Sequence, residues 1–252
     1  MTDAPRTGWQ GKVALVAGGT RGAGFAVASE LASRGCRVYL GYAHDEVAAK
    51  EAVAALAHLP GTVSALRGDV TALSTMPRQL AALRRTHGRL DIFVHSVPSL
   101  HPMSAAAPRP RGLVDDLTTA LAPLAFGARS LKRAMAGGPG RILVVTSNGA
   151  RRVVPDYVSA GIAKAALETQ VRYLAAELAP HDITVNAVST AKLDKNAPGD
   201  AETARTLGAR TPAGRLTRPD DLAEAIALLC SPEAGWIHGQ VVTADGGLSL
   251  RA

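Results

Sequence analysis

A tyrosine and a lysine seven residues apart, in Tyr157-Val-Ser-Ala-Gly-Ile-Ala-Lys164, are the side chains of this sequence best suited to proton chemistry. On a helix the residue directly beside Lys164 is the one four positions earlier. That residue is Ala160, which carries no titratable group, so the candidate acid is Tyr157. Two helical turns separate Tyr157 from Lys164, about 10.5 Å of rise, which lets both side chains face one cleft. A phenol with an ordinary pKa of about 10 is a poor proton donor or oxyanion holder until a nearby cation stabilises its ionised form. Lys164 is either that cation or an ammonium clamp for a ribose. The alternative is a surface tyrosine beside a solvated lysine, and the elements around the pair must decide.

Val13-Ala-Leu-Val-Ala17 is a short apolar run that ends in Gly18-Gly-Thr20-Arg21-Gly22-Ala-Gly24, and helical periodicity follows from Phe25 to Arg34. Strand, glycines and helix in that order form a phosphate-binding arrangement. The missing side chains let the backbone approach a pyrophosphate, and the helix N-terminus offers free N–H groups and partial positive charge. Gly18, Thr20, Arg21, Gly22 and Gly24 are therefore candidate dinucleotide contacts. Folds that prefer NAD place a carboxylate near the end of the second strand, roughly 20 residues after the glycines. Here the second strand, Arg37 to Gly41, runs into Tyr42, Ala43 and His44, with no carboxylate before Asp45. Arg21, helped by His44, is placed to meet a 2′-phosphate, so the sequence favours NADPH over NADH.

A helix is expected over Glu46 to Ala57 and a third strand over Val63 to Leu66, followed by Gly68-Asp69-Val70. Asp69, with Val70 beside it, can accept from an adenine amino group, and a turn or helix cap is its competing use. The fourth strand, Leu90 to Val94, leads into His95 and Ser96. The small Ser96 would let the backbone lie against a cofactor, whereas His95 reads more naturally as a structural histidine than as an acid or base. Residues 98–112 hold four prolines and read as an irregular wall of the substrate cleft. A long Ala/Leu-rich helix is expected from Asp115 to Met135 and a fifth strand from Arg141 to Thr146. Ser147 then stands at a strand's carboxyl end, where open parallel sheets bind ligands. Its hydroxyl either meets a substrate carbonyl or starts a loop. The helix carrying Lys164 runs to about Ala179, with a sixth strand at Ile183 to Val188. A substrate lid is expected at about 190–215, and a last helix and strand at Asp220 to Cys230 and Gln240 to Thr243. The expected fold is α/β: a single Rossmann-type doubly wound domain over residues 1–252, with a seven-stranded parallel sheet flanked by helices.

With 252 residues and 47% hydrophobic content, the chain can bury a sizeable core. Cys36 and Cys230 match no metal or redox spacing, so no metal is expected. The N-terminus lacks a signal-peptide pattern and no run of 18 apolar residues occurs, which predicts a soluble cytoplasmic protein without membrane contact. The net charge of +7 is carried mainly by arginine, in pairs such as Arg84-Arg85 and Arg151-Arg152. Such a surface suits acidic partners, a phosphorylated cofactor or an acidic acyl carrier protein. No basic arm or helix-turn-helix segment points to nucleic acid.

These motifs make the chain resemble the short-chain dehydrogenase/reductase family over essentially its whole length. The matching marks are Gly18/Gly22/Gly24, Gly68-Asp69-Val70, Ser147, Lys164, Val185-Asn186-Ala187-Val188 and Asp245-Gly246-Gly247. Most members place a Tyr where Ala160 stands. The spacing of Tyr157 and Lys164 is instead similar to the enoyl-acyl-carrier-protein reductase branch, as are Val94-His95-Ser96-Val97 and the stretch from Gly161 to Tyr173. With its ordinary glycine loop, the chain looks most like the NADPH-dependent enoyl reductase III type. Ala120 stands near the place of an Asn that supports a proton relay in ketone-reducing members, which argues against ordinary ketone reduction. The resemblance implies reduction of an α,β-unsaturated thioester on coenzyme A or a carrier protein, in fatty acid or polyketide biosynthesis. Hydride would go to Cβ, Tyr157 would stabilise the enolate and Lys164 would hold the nicotinamide ribose. It also implies a homotetramer or homodimer built through the helices at 115–135 and 156–179. The alternatives are a ketone or imine reductase in which Ser147 and Tyr157 share the proton work, and a non-catalytic NADPH-binding module.

Overall fold

The computed structural model describes residues 8–194 and 201–251. In chain order its elements are β1 (Val13–Ala17), α1 (Gly22–Ser33), β2 (Arg37–Tyr42), α2 (Glu46–Leu56), β3 (Thr62–Arg67), α3 (Thr75–His87), β4 (Ile92–His95), α4 (Pro110–Ala134), β5 (Gly140–Ser147), α5 (Val158–Leu178), β6 (Ile183–Thr190), α6 (Ala201–Arg210), α7 (Pro219–Cys230) and β7 (Val241–Thr243). The strands form one seven-stranded sheet in the order β3-β2-β1-β4-β5-β6-β7. Every neighbouring pair is parallel.

Parallel strands need helical crossovers, which cover both faces and make the central strands apolar on both sides. β1 and β6 are accordingly buried along their whole length. One core gathers Val27 and Leu31 of α1, Leu56 of α2 and Leu222 and Ile226 of α7 against one face of the sheet. The other gathers Met76 and Leu80 of α3, Leu124 of α4 and Leu167 and Val171 of α5 against the opposite face. The strand order reverses between β1 and β4, and in such sheets the crevice outside the strand ends at that point is the ligand site. No helix among the described residues is long and apolar enough to cross a membrane.

The structure corrects two expectations. α3 has no counterpart in the sequence pattern: Met76, Leu80 and Leu83 anchor it to the core, but they sit among arginines, Gln79 and Pro77. α4 starts at Pro110, five residues before the expected Asp115, because proline suits the first helical position, where its missing N–H goes unused. Within 190–215, where a substrate lid is expected, the structure adds a helix, α6, and residues 195–200 lie outside the described residues.

Candidate active site

The crevice begins at the β1–α1 turn. Gly18 takes a φ of +77°, and a Cβ there would lie 2.7 Å from the Ser96 carbonyl oxygen, so the ends of β1 and β4 touch through bare backbone. Arg21 is the residue before α1 and makes no side-chain cap. The first-turn N–H groups of α1 are therefore free for a ligand. Gly22 has a φ of +52° and faces open space, with nothing within 4 Å of where a Cβ would lie. Open amides at a helix start beside a glycine floor fit the pyrophosphate of a dinucleotide, with Thr20 in the same turn.

Beyond β2, Arg21 forms an ion pair with Asp45, whose other oxygen caps α2 by accepting from Ala48 N at 2.9 Å. The guanidinium expected at a 2′-phosphate thus shares its charge with a carboxylate. His44 is exposed next to this pair. Asp69 accepts from Thr71 N and Oγ1 at 2.9 and 2.7 Å, and these bonds hold its carboxyl below the usual range. It therefore shapes the turn after β3, while Val70 is buried.

Lys164 projects from α5 toward the end of β5, where Nζ donates to the Val145 carbonyl at 3.0 Å. The protein around the ammonium strips water from it and pushes its pKa down to about 8, and the Asp116 carboxylate opposes that shift. Tyr157 does not lie within the helix, as the spacing suggests, but immediately before it at the N-cap. Asp156, with a φ of 58°, makes the turn that delivers it, and Met103 N donates to the Asp156 carbonyl at 3.1 Å. The Tyr157 ring is half-buried and packs on Gly149, where a Cβ would lie 2.5 Å from Cδ1 and 3.5 Å from Ser147 Oγ. Ser147 Oγ accepts from Gly149 N at 3.2 Å. Ser147 and Tyr157 therefore flank one glycine. Among the described residues no hydrogen bond joins Tyr157 to Ser147 or Lys164, and the place beside Lys164 belongs to the buried Ala160. Outside Tyr157 lies a cleft of about 470 Å³ with a largely apolar lining that includes Met103, Ala150, Val153, Pro155 and Ile162.

A second group of polar residues is not apparent from the sequence. Asp116 of α4 is buried and accepts from Ser99 Oγ at 2.5 Å, Ser159 Oγ at 2.6 Å, His101 Nδ1 at 2.8 Å and His101 N at 3.1 Å. Burial alone would raise its carboxyl, but the bonds from Ser159, Ser99 and His101 outweigh that and hold it below its ordinary value. The one signal is a charge on the buried stripe Gly112, Asp116, Ala120, spaced by four on α4. His95 is buried as well. Its Nε2 lies 3.0 Å from the Ala120 carbonyl and must carry the proton, because a carbonyl only accepts. Burial, and then the charge of Lys164, push its pKa down to about 3, so the ring is neutral and leaves the crevice floor to the backbone of Ser96.

Arg151 and Arg152, one of the basic pairs expected to suit an acidic carrier, are engaged within the chain. Arg151 bonds the buried Glu168 at 3.0 to 3.1 Å, and Glu168 also accepts from Thr146 Oγ1. Arg152 donates to the carbonyls of Ser249 and Arg251 near the C-terminus. Asn186 and Asp245 close turns around β7 and take no part in the crevice. No cluster of metal-ligating side chains occurs among the described residues.

Comparison with known proteins shows similarity over nearly the whole chain. The family model described as enoyl-(acyl carrier protein) reductase matches residues 17–249. A 1-cyclohexenylcarbonyl-CoA reductase of Streptomyces collinus is 33% identical over 96% of this chain and 88% of its own length. A tetrahydroxynaphthalene reductase of Pyricularia oryzae is 29% identical over 96% of this chain and 90% of its own. Among solved structures, a short-chain dehydrogenase/reductase of Serratia marcescens superposes with a TM-score of 0.87 at 30% identity, covering 96% of this chain and 99% of that one.

Proposed function

The chain belongs to the short-chain dehydrogenase/reductase family of NAD(P)H-dependent oxidoreductases, and on that premise we propose that it reduces the C=C bond of an α,β-unsaturated thioester with NADPH. The observation that carries this reading is the seat of Tyr157. The phenol stands at the N-cap of α5 against Gly149, while the place beside Lys164 holds Ala160. A donor displaced outward from the lysine suits an oxygen removed from the carbon that receives hydride, as in an enoyl thioester, where charge gathers on the thioester oxygen.

When bound, NADPH would supply hydride to Cβ, and a proton taken up at Cα from solvent would complete the saturated thioester. Tyr157 donates a hydrogen bond to the thioester oxygen as it becomes an enolate. Lys164 holds the ribose and keeps the local potential positive. The first-turn amides of α1 carry the pyrophosphate, and Arg21 offers its guanidinium to a 2′-phosphate. The apolar cleft of about 470 Å³ would take the acyl group, and its size fits a bulky or alicyclic acyl chain like the one named in the Streptomyces relative. Coenzyme A and a carrier protein remain alternative carriers of that acyl group. The protein would work as a homodimer or homotetramer, since Phe126 of α4 and Tyr173 of α5 are exposed large hydrophobics on the two helices concerned.

A second reading, reduction of a C=O group, is supported by Ser147 flanking Gly149 beside Tyr157 and by the hydroxynaphthalene reductases among the relatives. The experiment that separates them offers a cyclic enoyl thioester, crotonyl thioester and acetoacetyl thioester side by side, follows NADPH oxidation by absorbance, and uses NADH as the control cofactor. Turnover of enoyl substrates alone supports the proposal. Turnover of the ketoester alone overturns it in favour of carbonyl reduction.

A further inference from the structure

One ionisable side chain of the crevice has no part in the reaction described above. Asp116 lies one turn before Ala120 on α4, is 1% exposed, and shares with Lys164 a cavity of about 10 Å³. That is room for roughly one water molecule. The remaining walls include Val97, Ser99, Ala120 and Ala160. The cavity exists because α4 and α5 both present alanine toward the lysine, at 120 and 160. Asp116 reaches this space from one turn earlier.

We propose that Asp116 is the counter-charge of Lys164 and a positioning residue for it, holding the lysine's charge and its aim toward the cofactor crevice across the cavity between Ala120 and Ala160. The inference rests on the reading of Lys164 as a cofactor-holding residue. The groups that face Lys164 are Asp116 from α4, the neutral His95 from β4 and the Val145 carbonyl from β5. A carbonyl satisfies one ammonium donor but supplies no charge. An ammonium crowded by protein needs a carboxylate to remain ionised. Asp116 is suited to that task because three side chains hold it ionised and in place: Ser99 and His101 from the loop after β4, and Ser159 from α5. His101, whose side chain is 45% exposed, closes the cluster toward solvent.

The competing use of Asp116 is purely structural, as a tie between the loop at 98–101 and the two helices. NADPH affinity, measured by nicotinamide fluorescence from neutral to alkaline pH, separates the two uses without any turnover. In the wild-type protein affinity should fall on the alkaline side as Lys164 loses its proton. In Asp116→Asn, which keeps the shape but not the charge, that fall should move to lower pH by about one unit or more. His101→Gln and Ser99→Ala, which each remove a bond from Asp116 but leave its charge, should keep the fall at its wild-type position. A folded Asp116→Asn protein with an unmoved fall overturns the inference, and so does a wild-type protein with no alkaline fall. If Asp116→Asn does not fold, the double variant with Lys164→Met should fold, because the uncompensated cation is then gone. Failure of the double variant identifies a structural tie and also overturns the inference. Wild-type protein that binds NADPH with the expected fall but reduces no enoyl thioester refutes the proposed function and leaves this inference standing.

Discussion

The ring of Tyr157 rests on the backbone of Gly149, so closely that a Cβ at 149 would lie 2.5 Å from Cδ1 and 2.6 Å from Cε1. Gly149 is absent from the glycines with positive φ, so alanine fits its backbone and the strain falls on the phenol. Gly149→Ala should therefore displace Tyr157 while leaving the nucleotide crevice alone. If Tyr157 is the oxyanion donor, losing its position costs about 100- to 1,000-fold in kcat, the usual effect of removing one such donor. Tyr157→Phe should give a loss of the same order. NADPH affinity should stay within about twofold in both, since neither change reaches the β1–α1 turn. Wild-type turnover by either variant would remove Tyr157 from the mechanism.

Arg21 is shared between the crevice and Asp45. Both side chains are more than half exposed, at 65% and 51%, so the pair is worth about 0.2–1 kcal/mol at most. Freeing the guanidinium by Asp45→Asn should tighten NADPH binding by up to about fivefold and leave NADH unchanged. Asparagine caps helices as well as aspartate does, so α2 and the melting temperature should hold. Arg21→Ala should lose most of the preference for NADPH over NADH. Equal dissociation constants for NADPH in wild type and Asp45→Asn, by fluorescence titration at low salt, would show that the ion pair does not compete with the 2′-phosphate.

What the sequence discloses here is local order, and what it hides depends on distant contacts. β1 reads directly from Val13 to Ala17, because a continuous apolar run stopped by glycines has few other interpretations. Tyr157 is harder, since the same spacing to Lys164 serves a helical residue or an N-cap, and only the turn at Asp156 decides. α3 escapes because its apolar anchors are few and scattered among charges. Asp116 escapes for a different reason. A charged residue in an Ala/Leu-rich helix ordinarily faces water, and its donors come from 15, 17 and 43 residues away. Arg151 stays at the surface as composition suggests, and what the sequence hides is its buried partner Glu168, an acidic residue that composition would also place in water.

His95 should make the protein sensitive to acid. The folded state holds the imidazole neutral with a pKa of about 3, against 6.5 for the free group. Below about pH 6.5 the unfolded chain therefore binds a proton that the folded chain refuses, and stability falls as the pH drops through this window. The contribution reaches about 5 kcal/mol as an upper bound. His95→Gln, whose amide reaches the place of Nε2, keeps a donor for the Ala120 carbonyl without the titration. It should flatten the acid side of the stability curve, measured by urea unfolding at a series of pH values. A curve with wild-type slope between those two pKa values would mean that other groups, such as Asp69 and Asp116, set the acid limit.

Lys164 should carry a signature of the same sign at higher pH and reveal a conflict between function and stability. Its folded pKa is depressed to about 8 from 10.5. Below about 8 both states are protonated and the folded state bears the full penalty of crowding a cation. Between those values the unfolded chain binds more protons, so stability rises with pH, and above both values the contribution is gone. The full penalty is about 3 kcal/mol as an upper bound. Lys164→Met should therefore unfold at higher urea than the wild type at neutral pH while losing NADPH affinity. The difference in stability should shrink as the pH rises through the window from about 8 to 10.5. A variant less stable than wild type at neutral pH would mean that the bond to the Val145 carbonyl and the charge of Asp116 outweigh the lost hydration. Lys164 would then be a structural support of the β5 end as well as a ligand for the ribose.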